Sequence, residues 1–387
     1  MDRIEVAVTG AAGQVGSVLV RRMLEFPHIK TIAVCRNPIS AGIVHSVAPS
    51  CDIRIGSITE IDSAQKLLGD CDIIVNCALA MISGRPKESR LLNRAMIDNF
   101  SHIQKLKSLI HLSSVSVYGG SIDSAKSPRS TFENPYPDND YGRSKLYIEK
   151  HAKRIYRSRD LTLYILRLGH VIGAKMDRSK QIIELAQNPL FMLPFNGEIP
   201  SNTIHIERLA AMIISLLASP VPSGTYNVAD KEGTWRKVVD WHTKATGLPP
   251  VKGMAVDESK RLKDIYRSRS MRRDVISWCC SFPMLSLVTY PAMFDFAFRL
   301  LEIMPASFTN RLAVAYKCRS IRGQIAEMTR RGDQAKIISP YFFSEAMPGP
   351  YLALPSERGT KYPSEEELFF QLKSWYNEYS RARWLPT

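Results

Sequence analysis

A glycine-rich segment directly after the first apolar run is the feature that most constrains the fold. The run covers residues 4–8, and Gly10, Gly13 and Gly16 follow it at the spacing of a dinucleotide-binding turn. Gly10 permits a tight turn, Gly13 lets the backbone approach a pyrophosphate, and Gly16 lets a helix pack closely on the strand. The helix that follows would direct its positive N-terminal end at a phosphate. The segment therefore predicts a strand, a turn and a helix that together bind a dinucleotide.

Short apolar segments alternate with helical patterns through the first half of the chain. The strand candidates are residues 4–8, 31–35, 52–55, 72–76, 109–113 and 161–167. Helices are predicted over residues 59–69, 88–107 and 140–157, the first of them with a capping box that starts at Thr59. Strands rich in Ile, Val and Leu that alternate with helices predict a doubly wound parallel α/β sheet, the Rossmann fold.

The pattern changes at two places further along the chain. After Gly173 the segments become less regular and prolines punctuate them, and from about residue 249 a basic stretch and then an apolar stretch follow. We therefore expect three regions: a dinucleotide-binding domain over 1–175, a smaller substrate lobe over 176–250 that is interleaved with the end of the sheet, and a helical C-terminal extension over 251–387.

Composition limits the cellular setting. The chain has 387 residues and seven cysteines, and these cysteines show no metal-ligand spacing. An odd number of cysteines, with the first core strand at the N-terminus and no leader before it, predicts reduced thiols and a cytoplasmic location. No metal is expected.

The formal net charge of +15 is unusual and is compatible with nucleic acid, a membrane surface or an anionic substrate as partner, or with a solvated basic surface. Basic residues are concentrated in 252–273 and 317–331. The apolar stretch 281–304 contains two prolines and three charged residues, which makes it a poor membrane span. Two interpretations of this region stay open: packed helices, or a peripheral membrane contact through 251–316.

Tyr141 and Lys145 carry the second chemical signal. They lie four residues apart on a predicted helix and so project from one face. The pKa of a free tyrosine is about 10, and a neighbouring ammonium together with a positive nicotinamide ring would bring the phenol into the working range of a base. Ser114 ends the fifth strand, where ligands bind in open α/β sheets, and is placed to hydrogen-bond a substrate oxygen. An ordinary surface pair is the alternative for Tyr141 and Lys145.

Several motifs in the same order resemble the extended short-chain dehydrogenase/reductases, in the branch of nucleotide-sugar epimerases, dehydratases and reductases. They are residues 9–16, 76–78, 93–99, 113–119, 141–145, 166–173, 203–210 and 224–228. The resemblance covers about residues 1–250 and leaves the remainder of the chain without a match.

The resemblance implies a Ser-Tyr-Lys oxidoreductase. Tyr141 would be the acid/base, Lys145 would lower the pKa of Tyr141 and hold the nicotinamide ribose, and Ser114 would orient the reacting oxygen while hydride passes between substrate and nicotinamide. Besides Lys145, the implied cofactor-binding residues are Gly10, Ala12, Gly13, Gln14, Val15, Gly16, Arg36, Ser57, Ile58, Ala78, Leu79, Ala80, Asn93, Leu168 and Val171. The implied substrate contacts are Ser116, His170, His205 and Arg208, and a structural role is the alternative for each histidine.

The chain departs from the family's pattern at three places. Arg36 stands at the end of the second strand, where NAD enzymes carry an acidic residue, and it suits a 2′-phosphate, so NADP is preferred and NAD stays open. Ser57 replaces the usual Asp on the adenine side. Val115 and Ser116 occupy the positions of the acidic pair that dehydratases use, so ketone reduction or epimerisation is expected instead, and Arg36 favours reduction.

These observations leave three hypotheses. The first is a reductase or epimerase of polysaccharide biosynthesis that acts on a nucleotide- or lipid-linked sugar. The second is a 3β-hydroxysteroid-dehydrogenase-like enzyme for a hydrophobic alcohol, since those relatives often carry an apolar, membrane-facing C-terminal part. The third is a non-catalytic NADP sensor or RNA-associated protein, against which the presence of the Ser-Tyr-Lys set argues. The resemblance also implies a homodimer through the helices over 88–107 and 140–157, and nucleic acid is not the expected partner.

Overall fold

Seven parallel strands form the central sheet of the protein in a computed structural model. The structure describes residues 3–82, 86–119, 134–137, 140–159, 161–230, 233–260 and 363–382. The strands are β1 Ile4–Thr9, β2 Ile29–Cys35, β3 Asp52–Ile55, β4 Ile73–Asn76, β5 Ser108–Ser114, β6 Thr162–Leu168, β7 His170–Ile172, β8 Met192–Leu193, β9 Thr203–His205, β10 Gly224–Val228 and β11 Lys252–Gly253. The main sheet has the order β10-β6-β5-β4-β1-β2-β3. The predicted doubly wound Rossmann fold is confirmed.

Helices cover both faces of this sheet. They are α1 Gln14–Met23, α2 Pro38–Val47, α3 Ile61–Leu68, α4 Pro86–Ser101, α5 Asp140–Arg157, α6 Asp177–Ala186, α7 Ile206–Ala218, α8 Trp235–Thr246 and α9 Glu365–Ala382. One core lies under α1, α2 and α7, with Leu19 and Leu209 fully buried in it. A second core lies under α3, α4 and α5, where Ile97 and Ile148 are buried. Because strands buried on both faces gain from continuous apolar sequence, the Ile- and Val-rich segments fold as the middle of the sheet.

The strand register aligns the carboxyl ends of the central strands at one edge of the sheet. Thr9 on β1 pairs with Asn76 on β4, which pairs with His111 on β5. Ser114, the last residue of β5, pairs with Leu168, the last residue of β6. In open parallel sheets this edge is the ligand-binding edge. The sheet therefore brings the segments after β1, β4, β5 and β6 together.

Two predicted helix boundaries are wrong: the C-terminal end of α4 and the N-terminal start of α3. The helix predicted over 88–107 ends at Ser101, because the main chain turns there and the amides of Lys107 and Ser108 bond to the Asp72 carbonyl to begin β5. The capping box at Thr59 does not form: Glu60 is the N-cap of α3 without a side-chain hydrogen bond. The Thr59 hydroxyl lies 2.9 Å from the Ser57 hydroxyl instead. The predicted helix over 140–157 is confirmed.

The later part of the chain packs around the end of the sheet. The small β7–β9 and β8–β11 sheets lie there, and α6 and α8 enclose a third core around Trp235. β10 joins the main sheet beside β6, and α9 packs on α8, with Leu368 and Leu372 buried. The division at 175 and 250 stays a prediction, and the basic and apolar stretch over 261–331 lies outside the described residues.

The described cysteines are free thiols, and the described helices include no candidate membrane span. Cys71 and Cys77 flank β4 as predicted, and together with Cys35 and Cys51 they are free thiols; the other three lie outside the described residues. Within the described ranges, no helix is both long and apolar enough to cross a membrane. The same part of the chain contains no group of His, Cys, Asp and Glu side chains that could hold a metal ion.

Candidate active site

The glycine turn after β1 has a backbone that requires glycine. Gly10 has a φ of +66°, and a Cβ there would lie 2.8 Å from the Ala78 nitrogen. A Cβ at Gly16 would collide with the Gly10 carbonyl oxygen. The amide of Gly13 donates to that same oxygen at 2.9 Å. Gly10 thus forms the tight turn and Gly16 allows a close contact of α1 with that turn, while the approach of a pyrophosphate to Gly13 stays a prediction.

The turn fits a dinucleotide on this geometry. Gly13 is the N-cap of α1 and offers no capping side chain, and α1 has no acidic residue in its first turn. Ala12 precedes this end of the helix, and Gln14 and Val15 form its first positions. Uncapped amides and the helix dipole there suit a pyrophosphate. A dinucleotide bound in this way would supply the nicotinamide for redox chemistry.

Asn76 and Asn93 fix the segment that faces this turn. The Asn76 Oδ1 accepts from the Thr9 hydroxyl at 2.7 Å and from the Ala78 amide at 3.1 Å. The Asn93 side chain accepts from the Ala80 amide and donates to the Ala80 carbonyl, both at 2.9 Å. Ala78 thereby lies against the turn and residues 78–80, including Leu79, are fixed beside it, while their contacts with a cofactor stay a prediction. Asn76 was not predicted as a site residue, although it begins one of the recognised motifs.

The opposite end of the predicted cofactor site lies after β2 and β3. The two strands pair in parallel up to Cys35 and Ile55. Arg36 follows β2 and is exposed to solvent. Ser57 follows β3, and the Ile58 carbonyl accepts from Asn99 Nδ2 at 3.1 Å. The sheet thus places Arg36 and Ser57 at the same edge as the glycine turn.

Ser114 and Tyr141 meet at the end of β5. The Ser114 Oγ accepts from the Ser116 amide at 3.2 Å, which fixes the serine at the start of the short helical turn Val115–Tyr118. Tyr141 lies in the first turn of α5, and the residue is 39% exposed. Burial raises the pKa of Tyr141, and the interaction with the Ser114 side chain lowers it.

Lys145 is buried beside this tyrosine and points to the main chain of β5. Its Nζ donates to the Leu112 carbonyl at 2.7 Å and lies 6.0 Å from the centre of the Tyr141 ring. Burial lowers the pKa of Lys145 to about 8, while Cys77 and Glu149 raise it. The predicted lowering of the Tyr141 pKa by Lys145 is not seen in this arrangement, because the ammonium is directed at Leu112 and not at the phenol.

A buried polar network below the pair was not predicted. The Arg167 Nη2 lies 2.8 Å from Glu149 Oε2, and both residues are at most 2% exposed. The Ser113 hydroxyl donates to the same carboxylate. Arg167 Nη1 also donates to the Tyr118 hydroxyl at 2.9 Å, and that hydroxyl donates to Asn227 Oδ1 at 2.8 Å. One sequence signal could have indicated Glu149: it lies four residues after Lys145 on the same helix face.

His111 is a second buried group near Lys145. Because Asn76 Oδ1 accepts two hydrogen bonds, the Asn76 Nδ2 donates to His111 Nδ1 at 3.0 Å. Burial, followed by the charge of Lys145, lowers the pKa of His111 well below its ordinary value. His111 is therefore neutral at physiological pH.

The predicted substrate residues are only partly brought to this edge. Ser116 lies beside Ser114, and the predicted cofactor residues Leu168 and Val171 follow at the end of β6 and on β7. The His170 ring lies 5.8 Å from that of Trp235. Burial lowers the pKa of both His170 and His205 to about 3.

His205 and Arg208 already have structural partners. His205 Nδ1 accepts from the Glu207 amide at 3.2 Å and caps α7. Arg208 pairs with Asp230 at 3.6 Å and with Glu365 of α9 at 3.8 Å. For His205 the cap supports the structural alternative, and Arg208 stays a predicted substrate contact that has two ion-pair partners.

Known proteins share both sequence features and the fold with this chain. The model of the NAD dependent epimerase/dehydratase family matches residues 6–229. The UDP-glucuronic acid 4-epimerase from Bacillus cereus, solved in complex with NAD, superposes with a TM-score of 0.51 at 21% identity, over 65% of this chain and 87% of that one. The dTDP-glucose 4,6-dehydratase from Bacillus anthracis str. Ames, also in complex with NAD, gives a TM-score of 0.52 at 21% identity, over 67% and 89% of the two chains. A comparison with curated proteins gives no match. At these identities the structures show a shared fold.

Proposed function

Because the chain belongs to the NAD dependent epimerase/dehydratase family, we propose that it uses Ser114, Tyr141 and Lys145 to oxidise or reduce a sugar carbon of a nucleotide- or lipid-linked sugar. The observation that carries this proposal is the convergence of the three side chains at the sheet edge that also holds the glycine turn. Nucleotide sugars as substrate class are supported by the UDP- and dTDP-sugar enzymes that share the fold.

Each residue has a defined task in this proposal. The Tyr141 hydroxyl gives a proton to the substrate oxygen or takes one from it, and Ser114 hydrogen-bonds the same oxygen. Lys145 supplies the positive charge that favours a phenolate, once it turns from Leu112 toward the bound nicotinamide ribose. Water elimination is not proposed, because Val115 and Ser116 stand where an acid and a base would be needed. Reduction or epimerisation through a transient ketone fits the residues present.

Arg36 carries our proposal that NADP is preferred over NAD. Replacing it by alanine is expected to weaken NADPH binding by about 10- to 100-fold, because a charge-assisted hydrogen bond to the 2′-phosphate contributes about 1.5–3 kcal/mol. NADH binding should stay unchanged. Fluorescence titration of the purified protein with both cofactors measures this, and Lys66→Ala, an exposed lysine on α3, is the control. If NADH binds tightly or NAD co-purifies, and Arg36→Ala changes neither result, an epimerase that retains NAD is favoured.

The homodimer through α4 and α5 stays a proposal, and the charge of these helices makes it testable. Their surface side chains are mostly basic: Lys87, Arg90, Arg94, Arg143, Lys150, Lys153, Arg154 and Arg157, against Glu88, Asp98 and Asp140. Two copies joined through this face would repel each other, so added salt should strengthen the dimer severalfold by screening. Sedimentation analysis at low and high NaCl concentration measures this. A dimer that salt weakens would use another face.

One observation favours the hydrophobic-alcohol alternative. Met81 and Ile82, on the segment after β4, are 51% and 38% exposed, and the Ile82 amide is held by Ser89 at 2.8 Å. Exposed apolar side chains beside a candidate substrate edge suit an apolar group. A sterol alcohol therefore belongs in the substrate panel used below. Cytoplasmic location and membrane contact through 251–316 stay predictions, the latter testable by pelleting the full-length chain with liposomes.

A further inference from the structure

Three side chains of α5 face the sheet in one line. Tyr141, Lys145 and Glu149 are spaced by four residues, and their exposure falls from 39% at Tyr141 to 4% and 1% at the other two. The row thus runs from a partly exposed tyrosine to a buried lysine and a buried glutamate. Only the first two belong to the proposed reaction.

The carboxylate that acts on the charge of Lys145 is that of Glu149, one turn further along α5 and farther from Nζ than a direct ion pair. The groups around its ammonium are the Leu112 carbonyl, the Tyr141 ring, the Cys77 thiol, His111 on β5 and Glu149 one turn along α5. His111 is neutral, and burial raises the pKa of Cys77 to about 12, so the thiol is protonated. A buried ammonium without an anion close by loses its proton readily.

Glu149 is held rigidly by partners on two strands. Arg167 on β6 approaches both carboxylate oxygens, with Nε at 3.1 and 3.2 Å and Nη2 at 2.8 Å. Ser113 on β5 donates a further hydrogen bond. Arg167 is in turn fixed by the Tyr118 hydroxyl. Lys145, Glu149 and Arg167 together carry one net positive charge in the interior, which a Tyr141 phenolate would neutralise.

We propose that Glu149 is a positioning residue that keeps Lys145 charged while its Nζ donates to the Leu112 carbonyl, and that Arg167 and Ser113 hold Glu149 for this task. This inference rests on the proposed role of Lys145, but it concerns the charge state of the lysine and not turnover. Removing the carboxylate would leave two buried cations without an anion. The lysine, which can lose its proton where arginine cannot, would then become neutral.

The test measures the protonation of Lys145 directly. The full-length chain is trace-acetylated with acetic anhydride across pH 6–10, and the modified Lys145 peptide is quantified by mass spectrometry. We expect a midpoint near pH 8 in the wild type, and a fall by one pH unit or more in Glu149→Gln, so that the neutral fraction at pH 7 rises about 5-fold or more. Asp140→Asn removes an exposed carboxylate from the same helix and should leave the midpoint unchanged.

A second variant, Arg167→Gln, is expected to shift the acetylation midpoint of Lys145 in the opposite direction. Arg167→Gln removes the competing cation, so the midpoint of Lys145 should rise above that of the wild type. A general loosening of the structure would move both variants in one direction. An unchanged midpoint in folded Glu149→Gln, whatever its thermal stability, overturns the proposal.

The wild-type profile is informative even if Glu149→Gln fails to fold. A wild-type midpoint below about 7 would contradict the proposal, because the lysine would then be largely neutral beside the intact carboxylate. Glu149→Asp, which keeps the charge, should stay closer to the wild type than to Glu149→Gln. If the midpoints move as expected while Tyr141→Phe has no effect on turnover, the proposed function fails and this inference stands.

Discussion

Replacing Tyr141 by phenylalanine is expected to lower turnover by about 10²- to 10⁴-fold, the range of a lost general acid–base group. The variant keeps the ring that lies beside Lys145 and removes only the hydroxyl that exchanges the proton. Cofactor affinity should therefore change little. The measurement is single-turnover formation or consumption of NAD(P)H with a panel of UDP-sugars, dTDP-sugars and a sterol alcohol, together with fluorescence titration of NADPH.

Tyr147→Phe is the matched control for this experiment. Tyr147 lies on the same helix and stacks on His151 with ring centroids 6.4 Å apart, away from Ser114. It should retain wild-type turnover. If Tyr141→Phe is as active as Tyr147→Phe on a substrate that the wild type converts, the acid–base role of Tyr141 is wrong. If the wild type binds neither NADPH nor NADH, the non-catalytic hypothesis gains support.

Acidification is expected to unfold the protein, because buried histidines must stay neutral in the fold. Burial lowers the pKa of His205 to about 3 and that of His242 to about 4, against an ordinary value of about 6.5. Above pH 6.5 neither folded nor unfolded chain is protonated there, so stability is complete. Below pH 6.5 the histidines of the unfolded chain bind protons, and those of the folded chain do not. The free energy of unfolding therefore falls by roughly 1.4 kcal/mol per pH unit for each histidine until the pKa of the folded state is reached.

Between pH 6.5 and 4.5 these two histidines alone should lower the free energy of unfolding by about 5 kcal/mol, which is comparable to the stability of many domains. Carboxylates contribute to acid sensitivity at lower pH. Arg54 holds the pKa of Asp70 at about 2, so the stabilisation from this ion pair is lost only below pH 4, the approximate ordinary pKa of an aspartate. Urea denaturation at pH 7.5, 6.0 and 4.5 measures the effect.

His242→Gln separates the histidine contribution from general acid effects. His242 accepts from the Ser179 hydroxyl at 2.8 Å and donates to the Val238 carbonyl at 2.7 Å, so glutamine can replace part of this bonding without titrating. The variant should lose less stability on acidification than the wild type. His45→Gln, at an exposed site on α2, should follow the wild type. Equal slopes in all three proteins would show that buried histidines do not determine the acid sensitivity.

The sequence by itself determined the features that depend on local spacing. The glycine spacing at Gly10, Gly13 and Gly16 predicts its own turn, because each glycine is needed for a contact within the strand–turn–helix unit or with the next strand end. The four-residue spacing of Tyr141 and Lys145 places them on one helix face whatever surrounds the helix. Short apolar strands between helices predict the parallel sheet, because a continuously apolar strand is typical of burial on both faces.

Only the tertiary structure decided which distant residues meet. Glu149 and Arg167 form a buried ion pair because α5 crosses β6 at that point, and Asn76 meets His111 because β4 and β5 pair in one register. The turn of Lys145 toward Leu112, the pairing of Arg208 with α9 and the early end of α4 have the same origin. Such contacts depend on strand order, register and packing between segments far apart in the chain, and local periodicity carries no information about them.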